Sequence, residues 1–141
     1  MGGMHHPWRA VRGLPDWRVY FTDRMPAGVR GATRWRDRTI WVRAGLSQVE
    51  RRCTIEHERQ HVLLGPGSHG PGEERLVRQA AARELVTVEV LADALRWSRH
   101  PAVVADWCWV TVSVLGDRMD HLHPAERHAL RRAVEHHEET A

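Results

Sequence analysis

Between Ser47 and Gly65 the chain carries a full set of helix boundary signals, and any fold it adopts must accommodate the helix they define. Ser47 followed by Glu50 forms a capping box. The serine hydroxyl accepts from a free first-turn amide while the glutamate reaches back to the N–H of the cap residue. Gly65-Pro66 is the matching stop, since glycine tolerates the backbone reversal and proline cannot continue the ladder. The spacing predicts about four turns of helix. Inside it, Thr54 to His61 reads TIEHERQH, so His57, Glu58 and His61 spell H-E-x-x-H. Positions i and i+4 share a helix face, which lets both imidazoles reach one ion. Glu58 stands next to the first histidine, where its carboxylate can hold and deprotonate a water on that ion. In a chain with 11 histidines, chance alone supplies about 0.06 such pentapeptides. The capped helix around the motif is what raises its weight.

A chain of 141 residues is of single-domain size and can bury a core of its own. The expected organisation is a flexible N-terminus over 1–14 and one domain over 15–141. Within it a sheet spans 15–45, the site-bearing helices 47–98 and C-terminal helices 101–138. Hydrophobic content of 42% and charge of 28% exclude a disordered or fibrous chain. The longest apolar stretch, Val103 to Leu115, is interrupted by Asp106, so no membrane partner is expected. The first residues lack an apolar signal core, which points to a cytoplasmic location. Cys53 and Cys108 fit buried reduced thiols better than a disulfide framework. The net charge is +3, and arginine supplies every basic residue other than histidine. A pI near 9.6 permits contact with nucleic acid without arguing for it, and nucleic acid is not the expected partner.

The chain reads as α+β. Trp17 to Thr22 has the composition of a strand, closed by turn-prone Asp23 to Gly28. Residues 29–35 and 39–43 form a second pair around a turn at Arg36-Asp37-Arg38. Here Thr33, Trp35, Ile40 and Val42 alternate with Arg34, Arg36, Thr39, Trp41 and Arg43. The expectation is a small antiparallel sheet whose last strand runs into the helix capped by Ser47. Trp17, Trp35 and Trp41 look like residues packing that sheet rather than a stacking platform for bases.

Residues 65–72, GPGSHGPG, are a loop by composition. His69 within it is a weak candidate ligand, with an exposed loop histidine the blander reading. A long helical pattern then opens at Glu73. Glu74, Val77, Ala81, Leu85 and Val88 fall on one largely apolar stripe, whereas Glu73 shares a more polar one with Ala80, Glu84 and Thr87. If the apolar stripe packs on the motif helix, Glu74 points toward His57 and His61 and Glu73 turns to solvent. The pattern continues to Trp97 with a bend near Thr87. Pro101 starts another helix, with Val104, Trp107 and Cys108 on its buried side. Thr111 caps a helix through Leu115, Met119 and Leu122, and Pro124 opens a last, mostly polar one. His123, His128, His136 and His137 read as solvated, and His5-His6 as part of a frayed terminus.

TIEHERQH followed by LLGP and then EERLVRQAAARELV resembles the ImmA/IrrE-type metallopeptidases of actinobacteria, bacteriophages and mobile elements. In that family a small sheet leads into an H-E-x-x-H helix, and the next helix opens with a metal-binding Glu three residues before a small or aliphatic residue. Glu74, Val77 and Ala80-Ala81-Ala82 match that arrangement, and LADALRWS and WVTVSVLGDRM resemble the family's helical half. The resemblance covers most of residues 15–130. It implies a zincin-like body and a gluzincin-like endopeptidase with one Zn2+ per chain, held by His57, His61 and Glu74. Glu58 would be general base and acid. The protein substrate would be a regulatory protein such as a DNA-binding transcriptional repressor. Glu56, Gln60 and Arg78 depart from residues common in the family.

Two other functions fit parts of the chain. One is a metal-binding sensor that keeps the ligands without turnover. The other is a helix-turn-helix DNA-binding module built from Pro101 to Trp109 and Val112 to Leu122. Against the latter, VSVLGDRMDHL offers phosphates one Arg and two Asp.

Overall fold

The computed structural model describes residues 4–67 and 70–141. Seven helices and three strands succeed one another as α1 (Pro7–Arg12), β1 (Arg18–Thr22), β2 (Gly31–Arg34), β3 (Thr39–Arg43), α2 (Gln48–Leu64), α3 (Pro71–Leu85), α4 (Val88–Trp97), α5 (Pro101–Cys108), α6 (Val112–Asp120) and α7 (Pro124–Thr140). The chain is α+β and mostly helical. It divides into two compact units at the Ala81–Ala82 bond inside α3.

In the first unit, residues 6–81, the sheet has the order β1-β3-β2. It is mixed, not antiparallel: β2 pairs with β3 antiparallel, but β1 pairs with β3 parallel, Val19 beside Ile40 and Phe21 beside Val42. The reason lies in residues 23–30. A tight turn there would have made β1 and β2 neighbours. Instead the segment carries the chain past the end of β3, and Arg43 holds it there. The Arg43 guanidinium donates to the carbonyls of Val29 at 2.8 Å and Met25 at 3.2 Å, and also to that of Pro26. Those carbonyls satisfy a charged donor without a ladder of their own.

The alternation read in the sequence sets the two faces of the sheet. Ile40 and Val42 are buried and meet Ile55 and Val62 of α2 and Val11 of α1 in one core. Trp17 and Trp35 close its edge, ring centroids 4.9 Å apart in a T-shaped pair. Residues 7–12, expected to be loose, form α1, with Pro7 at its start and Pro7 and Val11 buried. Helix α2 begins with the capping box in place, Glu50 N–H on Ser47 Oγ at 3.1 Å and Ser47 N–H on Glu50 Oε1 at 3.3 Å. It ends at Gly65, whose φ of 95° lies in the region that favours glycine. Both cysteines are buried, and neither is in a disulfide.

In the second unit Thr87 and Thr111 cap α4 and α6 through their hydroxyls. The expected bend near Thr87 is a full break, because Thr87 is extended and starts a new helix. Trp107, expected on the buried side of α5, is 48% exposed and stacks on Trp97. Met119 is exposed too. Leu115 of α6 is buried, and so is Arg118, which donates to the Val86 carbonyl at 2.8 Å and through both terminal nitrogens to the Glu126 carboxylate. Glu126 also accepts from the His123 N–H at 3.1 Å, so one carboxylate joins α6 to the cap of α7. Among the described residues, no helix is long and apolar enough to cross a membrane.

The hydrogen bonds from Arg118 push the Glu126 carboxyl down to about 2, against partial desolvation. A depressed carboxyl stabilises the fold above its unfolded value and loses that contribution as pH falls. The wild-type unfolding free energy should therefore drop as pH falls from about 4.5 toward about 2. Glu126→Gln should lower stability at neutral pH by on the order of 1–3 kcal/mol, at the low end because Glu126 is partly solvated. It should also flatten that acid limb. Urea melts at pH 7 and pH 3 test both, and an unaltered acid limb in the variant rejects the assignment.

Candidate metal centre

The candidate ligands come from the last turns of α2 and the first turn of α3. His57 and His61 lie one turn apart on α2, ring centroids 5.0 Å apart. Glu74 enters from α3 with its carboxylate spanning them: Oε1 lies 2.6 Å from His57 Nε2 and Oε2 lies 3.0 Å from His61 Nε2. One ligand atom from each of His57, His61 and Glu74 lies within 4.8 Å of the others, a spacing that could hold one metal ion. The two Nε2 atoms are thus aimed at a common region. That requires the proton of each neutral ring to sit on Nδ1 if the nitrogens are to act as ligands.

Glu74 is 49% exposed, so the cluster is open to solvent on that side. Glu73 is the reverse of what the stripe analysis predicts. Its side chain is 10% exposed, and its Oε1 lies 3.4 Å from His61 Nδ1. The stripe itself was right for Val77, Ala81 and Leu85, all buried. The error was to equate the polar stripe with solvent. A side chain in the first turn leans back toward the helix start, and here that brings Glu73 to His61.

Glu58 is buried, 6% exposed, close enough to feel the charges of His57, His61 and Glu74. Burial pushes its carboxyl above the usual range, and the Glu74 charge adds to this. The Thr33 hydroxyl and the two imidazoles act in the opposite sense. Thr33 donates to Glu58 Oε2 at 2.7 Å across the gap from β2 to α2. This contact depends on Gly31. A Cβ there would meet Thr54 Cγ2 at 2.6 Å and both Cγ and Oε1 of Glu58 at 3.1 Å. Sequence reasoning did not find Thr33 or Gly31. The signal was present for Thr33, a hydroxyl on the same strand face as Ile40 and Val42.

Two of the residues that depart from the family pattern pair with each other. Glu56 is fully buried, and its carboxylate accepts from Arg59 through two nitrogens and from Gln60 Nε2, each at 2.8 Å. The buried acid is thus neutralised within α2 and does not crowd the ligands. Arg78 is exposed. His69 lies outside the described residues. His123, His128 and His136 are exposed, and His5 stands 3.8 Å from Glu84. Among the described residues, the candidate metal group contains none of these other histidines. In α6 the single arginine of the helix-turn-helix reading is Arg118, which is turned inward onto Val86 and Glu126. It therefore offers phosphate nothing.

The structure thus defines an α+β chain carrying a candidate His-His-Glu metal centre beside a buried carboxylate. Comparison with family models, with characterised proteins and with solved structures gave no match.

Two substitutions test how β2 supports this centre. Thr33→Val keeps the shape but leaves the Glu58 carboxylate without its hydroxyl donor, which should cost about 1–3 kcal/mol. Gly31→Ala should cost a similar ~1–3 kcal/mol, because the buried, β-branched Thr54 has little room to yield. Chemical denaturation measures both. Wild-type stability in either variant means that β2 does not pack on Glu58 as described.

Proposed function

We propose that the protein is a zinc-dependent endopeptidase of the ImmA/IrrE type, acting inside the cell on a regulatory protein such as a DNA-binding repressor. The observation that carries this reading is the convergence of two imidazole Nε2 atoms and one carboxylate beside a second, buried carboxylate. Two histidines and one glutamate are the donor set of hydrolytic zinc sites, which keep a position open for water or substrate. Harder cations such as calcium take six or more oxygens, which this cluster does not offer.

When bound, zinc supplies Lewis acidity to a water and to the scissile carbonyl. His57, His61 and Glu74 would hold it. Glu58 would take the proton of the attacking water and return it to the leaving amine. Thr33, on Glu58 Oε2, leaves the other carboxylate oxygen for that work and fixes the rotamer. The half-exposed Glu74 marks the side from which a peptide can approach.

Metal analysis should find about one zinc per wild-type chain, and none in His57→Ala or His61→Ala. Glu58→Gln should keep zinc yet lose cleavage by on the order of 1000-fold or more. Cleavage can be read as new N-termini in a peptide library prepared from a bacterial proteome. Full zinc occupancy in both histidine variants rejects the centre. Unchanged cleavage by Glu58→Gln rejects the mechanism.

A further inference from the structure

We propose that Glu73 is the positioning residue of this centre, holding His61 from behind through Nδ1 while Glu74 works at the metal side of the same ring. The inference rests on the zinc reading above and extends it to a residue outside the ligand set. Two observations point the same way. The first is geometric. Neighbouring residues on a helix diverge by about 100°, and these two adjacent carboxylates reach opposite nitrogens of one imidazole. Glu73 Oε1 is 3.4 Å from Nδ1, and Glu74 Oε2 is 3.0 Å from Nε2. The second is burial. A first-turn acid that served only the helix dipole would stand in water, as Glu74 largely does at 49% exposure, but Glu73 is 10% exposed and His61 12%. Taking a carboxylate out of water is costly without a partner to compensate it.

The consequence follows from imidazole chemistry. With Nε2 turned to the ion, the neutral ring must carry its proton on Nδ1, and that N–H needs an acceptor. A carboxylate there fixes the tautomer, stops the ring rotating about its χ angles, and makes Nε2 a better donor to the metal. Glu73 therefore does not touch the ion or a substrate. It sets how firmly His61 does.

The experiment compares zinc binding by wild type, Glu73→Ala and Glu73→Gln, using competition with a chromophoric chelator and the rate of zinc loss to excess chelator. Glu73→Ala should weaken binding by about 10–100-fold and release zinc faster, with the metal-free melting temperature little changed. Glu73→Gln keeps an acceptor oxygen and should recover most of the affinity. The cobalt(II) visible spectrum should shift in Glu73→Ala and return toward wild type in Glu73→Gln, a signature that a purely structural role would not move. Wild-type affinity and spectrum in Glu73→Ala overturn the proposal alone. Loss of zinc as complete as in His61→Ala also overturns it, by making Glu73 a ligand. Failure of wild type to bind zinc overturns the proposed function and this inference together. Should Glu73→Ala not fold, the nitrogen-15 histidine spectrum of the zinc-loaded wild type decides. A proton on His61 Nδ1, shifted downfield by its acceptor, supports the role, and its absence overturns it.

Discussion

The contact between Thr33 and the buried Glu58 carboxylate is the constraint on which the first unit turns. A carboxylate placed on the inner side of a helix must either find a donor or stay in water. Here the donor comes from β2, so β2 has to run close against α2. That closeness is possible because position 31 has no side chain, Thr54 and Glu58 filling the space a Cβ would need. With β2 committed to α2 at one edge, β3 takes the centre and buries Ile40 and Val42, and β1 is left the far edge. The chain crosses over the end of β3 between β1 and β2, and Arg43 supplies hydrogen bonds that hold that crossover. One polar contact thus reaches through the sheet order to a loop that touches neither partner.

What could be read in the sequence was local. Capping residues specify helix ends through bonds made within three or four positions. Ser47, Thr111 and the prolines at 101 and 124 accordingly sit where those rules place them. The pairing of His57 with His61 is of the same kind, because a helix fixes i and i+4 without help from elsewhere. The choice of Glu74 needed one more step, that the apolar stripe through Val77 and Ala81 faces inward, and the burial of those residues bears it out.

What could not be read depended on distant partners. Parallel pairing of β1 with β3 is decided by a loop whose carbonyls are satisfied by a side chain many residues away. Helix α1 has two buried residues and no period long enough to detect. Arg118 reads as a surface charge until Val86 and Glu126 are seen to surround its guanidinium. Glu73 belongs with these. Its stripe is polar, and a polar partner of its carboxylate, His61, lies on another helix. Hydrophobic periodicity separates apolar from polar faces, but it does not distinguish a polar face toward water from one toward a histidine.

The same distinction explains how α2 can carry so much charge at its core. Glu56 and Glu58 are both buried, yet they are compensated differently. Glu56 accepts from Arg59 and Gln60 of its own helix, with a hydrogen bond on each oxygen. Glu58 has one oxygen on the Thr33 hydroxyl, and burial pushes its carboxyl above the usual range. Glu73 and Glu74 add two further carboxylates beside imidazoles that are neutral in their ligand form. Three carboxylates, those of Glu58, Glu73 and Glu74, thus stand around His57 and His61, and the group His57, His61 and Glu74 could hold a metal ion. The contrast between Glu56 and Glu58 rests on Arg59, Gln60 and Thr33, side chains that the bare motif does not specify.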